Sequence, residues 1–251
     1  MTFHPEALAA FRESLGAGTE NAVSLWKGKA PRAWAKRVTG IDWPTFSESG
    51  QIRREVLATL SEGTLSDEAA WLIVMAWGGQ HEKNAKVCWE HRSAWLPIVH
   101  DLRGGKLDGR AAYRRFFDTR IKGLGPAYFT KIIYFLAHED GYILDQWTAK
   151  SMEILQIRSA DDYWADVPWI AVSARMNGVR RTGWTGGTIA RDAPPELYDR
   201  YLAFLSALRD RLLEVGLNLS MDHIEEGLFA GSEQKSKSSW RSFVEINWSP
   251  S

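Results

Sequence analysis

The chemistry-bearing residues of this chain gather in Ile121 to Gln146, IKGLGPAYFTKIIYFLAHEDGYILDQ. Gly123 and Gly125 flank Leu124. Glycine permits positive φ and puts no side chain between backbone and ligand. Pro126 suits the first position of a helix, where no amide donor is missed. A turn of this kind, with a helix N-terminus behind it, attracts phosphate, and Lys122 adds a point charge. The plain alternative is an ordinary helix–helix turn, since many of these contain glycine. Farther along, the apolar pair Ile143-Leu144 leads to a lone acid, Asp145. The order of glycine turn, helix, apolar lead-in and acid can hold a phosphate backbone beside one reactive carboxylate. Asp145 is equally placed to cap the helix that starts there.

The elements that position these residues read as helices. Pro5 to Leu15 is a short amphipathic helix stopped by Gly16. Residues 19–40 are basic, Trp-bearing and helical in part. Gly50 to Leu60 carries Ile52, Val56, Leu57 and Leu60 at helical spacing. Ser66-Asp67-Glu68 opens the run AAWLIVMAW, which must be buried on most sides and stops at Gly78-Gly79. Asn84 to His100 predicts one helix bent at Pro97. Asp108 to Asp118 precedes the glycine turn, with Ala112, Phe116 and Phe117 as its inner stripe, and Pro126 to Ala137 follows it. A helix from Asp145 to Leu155 comes next. Residues 159–194 are irregular and hold Trp164, Trp169 and Trp184. Glu196 to Val215 and Met221 to Phe229 close the pattern. No repeat and no strand alternation is present, so the fold class is all-α or nearly so. The expected organisation is one domain over residues 1–230, with the hairpin at 108–137, followed by a Ser- and Lys-rich tail at 231–251 that is flexible up to Trp240.

Composition narrows the classes. With 45% hydrophobic and 25% charged residues, the chain reads as an ordinary globular protein. No run reaches the roughly 18 apolar residues of a membrane helix, and the first residues lack a signal-peptide core, so the expected location is the cytoplasm. One cysteine, Cys88, excludes an internal disulfide framework. The net charge is +0, from 31 basic and 31 acidic residues. That balance leaves nucleic-acid binding to local basic faces. Three clusters qualify: Lys27, Lys29, Arg32, Lys36 and Arg37; Arg110, Arg114, Arg115, Arg120 and Lys122; and Arg175, Arg180, Arg181 and Arg191. Each can also be a solvated helix face. The thirteen tryptophans belong mostly in the core, with a minority able to stack on bases. There is no HExxH, no CxxC and no phosphate-binding Walker loop, so no metal site is expected.

The stretch from Ile121 to Asp145 resembles the helix-hairpin-helix DNA glycosylase superfamily. Its members share a hairpin of the form L-x-G-[IV]-G, an apolar helix, and a short apolar lead-in to an Asp. Ile121-Lys122-Gly123-Leu124-Gly125 and Ile143-Leu144-Asp145 follow that order, at a spacing close to the family's own. Gly123-Leu124-Gly125-Pro126-Ala127 and the later Ile224-Glu225-x-x-Leu228-Phe229 look like bacterial proteins with an 8-oxoguanine DNA glycosylase-type fold. The match is specific over residues 108–152 and looser from about 50 to 230. The resemblance implies two helical lobes flanking a DNA-binding cleft, a monomer acting on double-stranded DNA, and cleavage of the N-glycosidic bond of a flipped-out base, 8-oxoguanine among the candidates. Repair of damage and defence against foreign DNA with modified bases are both open.

By this resemblance Asp145 is the catalytic carboxylate. Breaking an N-glycosidic bond builds positive charge on the sugar, which a fixed carboxylate stabilises. Members that also cleave the strand place a lysine two residues after the second hairpin glycine, and here that position is Ala127. Lys131 lies one turn along the same face and is the candidate amine nucleophile for AP-lyase chemistry. Its alternative roles are phosphate binding or snorkelling to solvent. Without an amine, Asp145 would activate water. Lys122, Gly123, Leu124 and Gly125 are the candidate backbone clamp. Superfamily members also carry a Gln after an apolar helix and a small-residue turn, which fills the gap left by the extruded base. Gln80 holds that place, with His81 beside it; the alternative is a plain helix end with Gly78 as a left-handed cap. Trp147, Trp184, His223 and Phe229 are candidate walls of a base pocket, or else core. No cofactor is expected beyond a structural monovalent cation at the hairpin carbonyls. The rival readings are a non-catalytic helix-hairpin-helix DNA-binding protein and a helical protein-interaction domain.

Overall fold

The computed structural model describes residues 1–16, 26–137, 141–157, 170–171, 188–230 and 240–248. Helices α1 (Pro5–Gly16), α2 (Pro31–Thr39), α3 (Arg53–Ser61) and α4 (Asp67–Trp77) come first. Next are α5 (Glu82–Glu90), α6 (Arg92–Arg103), α7 (Gly109–Thr119), α8 (Pro126–Leu136) and α9 (Gln146–Leu155). After α9, β1 (Ile170–Ala171) pairs antiparallel with β2 (Thr188–Ile189), with Ile170 opposite Ile189. Helices α10 (Pro195–Glu214), α11 (Met221–Ala230) and α12 (Trp240–Asn247) complete the order. The fold is therefore all-α, with one two-residue strand pair among the described residues. No helix among them is long and apolar enough to cross a membrane.

The chain divides into two compact units. One comprises Leu25–Ile143 with Pro194–Tyr198 and is built around α4. Every residue from Ala69 to Trp77 is buried, as the unbroken run AAWLIVMAW requires of a helix surrounded on all sides. Ser66 caps α4 by accepting from Ala69 N–H at 3.2 Å. Trp71 stacks on Trp95 of α6 at 4.7 Å, and Trp77 meets Phe135 of α8 edge-on at 4.9 Å. The predicted single helix over 84–100 is two helices. The break falls at His91 rather than Pro97, because the buried Trp95 indole donates to the Cys88 carbonyl at 3.0 Å and satisfies an acceptor at the end of α5. On α7 the buried face is Ala112, Tyr113 and Phe116. Tyr113 takes the place expected for Phe117, stacking on Tyr198 at 4.6 Å and meeting Phe129 of α8 at 4.8 Å.

The other unit comprises Met1–Ser24, Leu144–Ala193 and Asp199–Ser251. Here α9 is packed by α1, α11 and α12. Residues 240–248, set apart above as part of a tail, fold into this unit. Trp240, Val244 and Trp248 recur every four residues and are all buried, which gives α12 one apolar stripe. Trp240 meets Phe11 of α1 at 5.0 Å and donates its indole N–H to Ser151 of α9 at 2.8 Å. Leu144, next to Asp145 at the start of α9, is buried.

Candidate functional site

The expected site residues fall on both units. In the unit built on α4, α7 ends at Arg120, a non-glycine residue with φ 50°. Gly123 has φ +85°, and a Cβ there would lie 2.4 Å from the Asn84 carbonyl oxygen. The hairpin thus needs glycine twice over: for its backbone twist and for its closeness to the start of α5. Gly125 is the extended residue before α8, and Pro126 occupies the first turn. Gly123 and Leu124 are buried, Gly125 is half-buried and Lys122 is exposed. The surface this hairpin offers is therefore Lys122 with Gly125. Arg120 and Lys122 are exposed and make no ion pair among the described residues. By contrast, the first basic cluster is largely spent. Arg32 pairs with Asp42 and Glu48, Arg37 pairs with Glu82, and Lys29 donates to the Gln80 carbonyl. In the second cluster Arg115 pairs with Asp101. Arg175, Arg180 and Arg181 lie outside the described residues.

Gln80 is 0% exposed. Its side-chain Nε2 donates to the Gly123 carbonyl at 2.9 Å, and its backbone carbonyl accepts from Lys29 Nζ and from the Trp34 indole. The side chain is a strut between the end of α4 and the hairpin. To enter a base stack it would have to give up the Gly123 bond. The left-handed residue at this helix end is Gly79, with φ +69°, whereas Gly78 is right-handed. Gly78 is small for another reason: a Cβ there would lie 2.8 Å from Cδ of Lys131. Replacing Gln80 by Ala should cost about 1–3 kcal/mol by stranding a buried carbonyl. Thermal melting measures this; an unchanged melting temperature with weaker base extrusion would instead mark Gln80 as a mobile wedge. His81 is exposed and caps α5, its Nδ1 accepting from Lys83 N–H at 3.2 Å.

Lys131 is 5% exposed. Its stem passes Gly78 and turns back along α8, and Nζ donates to the Ala127 carbonyl at 2.8 Å. The amine thus sits one turn back from its own Cα, next to the residue that occupies the usual lysine position. Nζ also lies 5.6 Å from the Tyr128 ring. Cys88, behind the hairpin, is no rival nucleophile, because burial pushes its thiol up to about 12.

In the unit built on α9, Asp145 is 7% exposed and caps that helix. Its Oδ1 accepts from Trp147 N–H at 2.8 Å and Thr148 N–H at 3.3 Å, while Thr148 Oγ1 accepts from Asp145 N–H at 2.9 Å. Capping and a fixed catalytic orientation are thus compatible, since the cap is what holds the carboxylate. Trp147 is half-buried, and the guanidinium of Arg241 from α12 lies 3.8 Å over its ring. Phe229 is half-buried on α11, whereas His223 is exposed with Nδ1 2.8 Å from Ser220 Oγ. Trp184 lies outside the described residues.

Two residues near Asp145 were missed by sequence reasoning. Lys150 is 1% exposed, with Nζ 4.3 Å from the Trp248 ring and 4.9 Å from the Trp147 ring. Arg241 is the other. The only hint in the sequence was the four-residue rhythm of Trp240, Val244 and Trp248, which marks an apolar helix face. No group of three or more His, Cys, Asp or Glu able to hold a metal ion occurs among the described residues.

A protein-family model described as "Putative 8-oxoguanine DNA glycosylase OGG-like protein" matches residues 17–229, most of the chain. No curated protein and no solved structure matches.

Proposed function

Because the chain belongs to this OGG-like glycosylase family, we propose that it extrudes a modified or damaged base from double-stranded DNA and cleaves its N-glycosidic bond. The observation that carries this is the buried Asp145 carboxylate, held by two backbone N–H groups at the start of α9. A carboxylate that cannot turn away costs little reorganisation when positive charge builds on the sugar. The hairpin supplies the backbone contact, through Lys122 and the amides around Gly125, with Gln80 bracing it from behind. Phe229, and whatever part of the Trp147 ring Arg241 leaves uncovered, are the half-buried aromatic surfaces proposed to meet an extruded base. A monovalent cation at the hairpin would share the carbonyls of Gly123 and Ile121, which already accept from Gln80 Nε2 and Leu124 N–H; each carbonyl keeps a second lone pair.

Lys131 is the proposed amine. Its return to the Ala127 carbonyl supports the reading that a long stem makes up for the one-turn displacement. To attack the sugar C1′ the amine must first lose a proton.

The test uses duplexes carrying 8-oxoguanine, uracil, alkylated bases or modified cytosines. Release of at least one base is expected, and release of none would sink the enzyme reading. Borohydride then divides the two chemistries. A covalent adduct absent from Lys131→Arg assigns the amine to Lys131. Base release without any adduct assigns the attack to water activated by Asp145. Ala127 in the usual lysine position favours a second reading, a DNA-binding protein without chemistry, whose signature is salt-dependent binding with no base release.

A further inference from the structure

The helix α12 lies beyond the residues that the family model matches, yet it is fastened to the helix that Asp145 caps. Trp240 donates to Ser151, and the Trp248 indole donates to Glu153 at 2.5 Å. Between these two anchors, Arg241 places its guanidinium carbon 3.8 Å from the centre of the Trp147 ring, two residues from Asp145. Stacking uses the face of the guanidinium and leaves its N–H edge available. Along that edge Arg241 makes no hydrogen bond and no ion pair among the described residues. It is half-buried, so its donors have lost part of their water without gaining a partner. Burial is the main cause that lowers its pKa, opposed by the charges of Asp145 and Glu245.

A second cation stands next to it. Lys150 shares the Trp147 ring. Its pKa is lowered chiefly by burial and also by the like charge of Arg241, while Glu245, Asp145 and Glu153 oppose this. Of these acids, Asp145 is bound to the start of α9, Glu153 accepts from Trp248, and Glu245 is exposed. Two like charges brought together beside one indole, one of them with its donor edge unspent, are what an oxyanion with several acceptors would satisfy.

We propose that Arg241, with Lys150 behind it, forms a phosphate site beside Asp145 that holds the DNA backbone of the extruded nucleotide. The inference rests on the glycosylase reading for the identity of the anion. A nucleotide whose sugar meets Asp145 must bring a flanking phosphodiester close to that carboxylate. The two anions repel each other, and a cation already held there offsets the repulsion. The role is one of binding: Arg241 takes no part in bond breaking, and its donors move from water to phosphate oxygens.

The experiment measures binding of the full chain to two duplexes, one undamaged and one with a tetrahydrofuran abasic analogue that cannot be cleaved. Arg241→Gln is expected to weaken binding to the abasic duplex by about tenfold or more. It should also lower the slope of log K against log salt by about 0.9, with the undamaged duplex affected little. Arg241→Lys keeps the charge and should recover most of the affinity, which also guards against a folding defect in the Gln variant. Unchanged affinity and slope for the abasic duplex in Arg241→Gln would overturn the proposal. So would an equal loss on both duplexes, which would make Arg241 a general surface contact. The glycosylase reading is judged separately by base release in the wild type and in Asp145→Asn. A wild type that releases base, together with an Arg241→Gln that binds normally, would discard the phosphate site alone.

Discussion

Asp145→Asn is expected to lower single-turnover base release by about a hundredfold or more while leaving the fold intact. The reason lies in the double duty of this side chain. As a cap, Asp145 needs only one acceptor oxygen for the N–H groups of Trp147 and Thr148. Asn supplies that oxygen and ranks with Asp as an N-cap. As a catalyst, Asp145 needs its negative charge, which Asn lacks. The substitution therefore separates the two roles that the sequence left entangled. Melting should fall only modestly, through the lost charge beside Lys150 and Arg241, while the rate constant of base release, measured with enzyme in excess over DNA, should collapse. Asp145→Ala removes both roles and should additionally cost about 0.5–2 kcal/mol of stability. If Asp145→Asn released base at the wild-type rate, the carboxylate would be a cap and nothing more.

The second large effect is structural. Gly123→Ala should destabilise the unit built on α4 and weaken DNA binding together. The left-handed backbone costs a non-glycine residue about 1–3 kcal/mol. The added Cβ would also meet the Asn84 carbonyl oxygen at 2.4 Å, with the Asn84 carbonyl carbon and the Cys88 nitrogen both at 3.3 Å. All three are backbone atoms of the α5 region and cannot swing aside as a side chain would. A loss of about 3 kcal/mol, or a melting temperature lower by about 6 °C or more, is expected. Gly79→Ala is the matched control. Gly79 has φ +69° but nothing within 4 Å of its would-be Cβ, so Ala there meets the left-handed strain without the collision. A mild effect at Gly79 beside a severe one at Gly123 would show that the collision, more than the twist, makes this glycine necessary. Equal effects would contradict that account.

The hairpin also explains why its expected role narrows. Leu124 and Gly123 face inward, so the clamp is a buried strut with a small exposed tip. Gln80 is part of the strut. Its amide reaches the Gly123 carbonyl from the far end of α4, so a change at Gln80 should be felt at the hairpin even if Gln80 never touches DNA.

What the sequence by itself determined is local. Ser66 and Asp145 read as helix caps because a side-chain oxygen three residues before a free N–H is a short-range arrangement. The start of α9 followed from Asp145 for the same reason. The unbroken apolar run of α4 declared a buried helix before any neighbour was known. The tertiary structure decided whatever depends on residues far apart in the chain. Periodicity marks which face of a helix is apolar, but not which helix it meets. So the bond from Gln80 to the hairpin carbonyl could not be read from the sequence. Tyr113 replaced Phe117 on the inner face of α7 because Tyr198 stands opposite. The break at His91 followed from a Trp95 indole reaching back to Cys88. Where the Lys131 amine sits was not legible either, because its path depends on the room that Gly78 leaves for its stem. Arg241 carried no motif at all. Its place comes from α12 packing on α9, which sets its guanidinium against Trp147 beside the carboxylate that the sequence had already singled out.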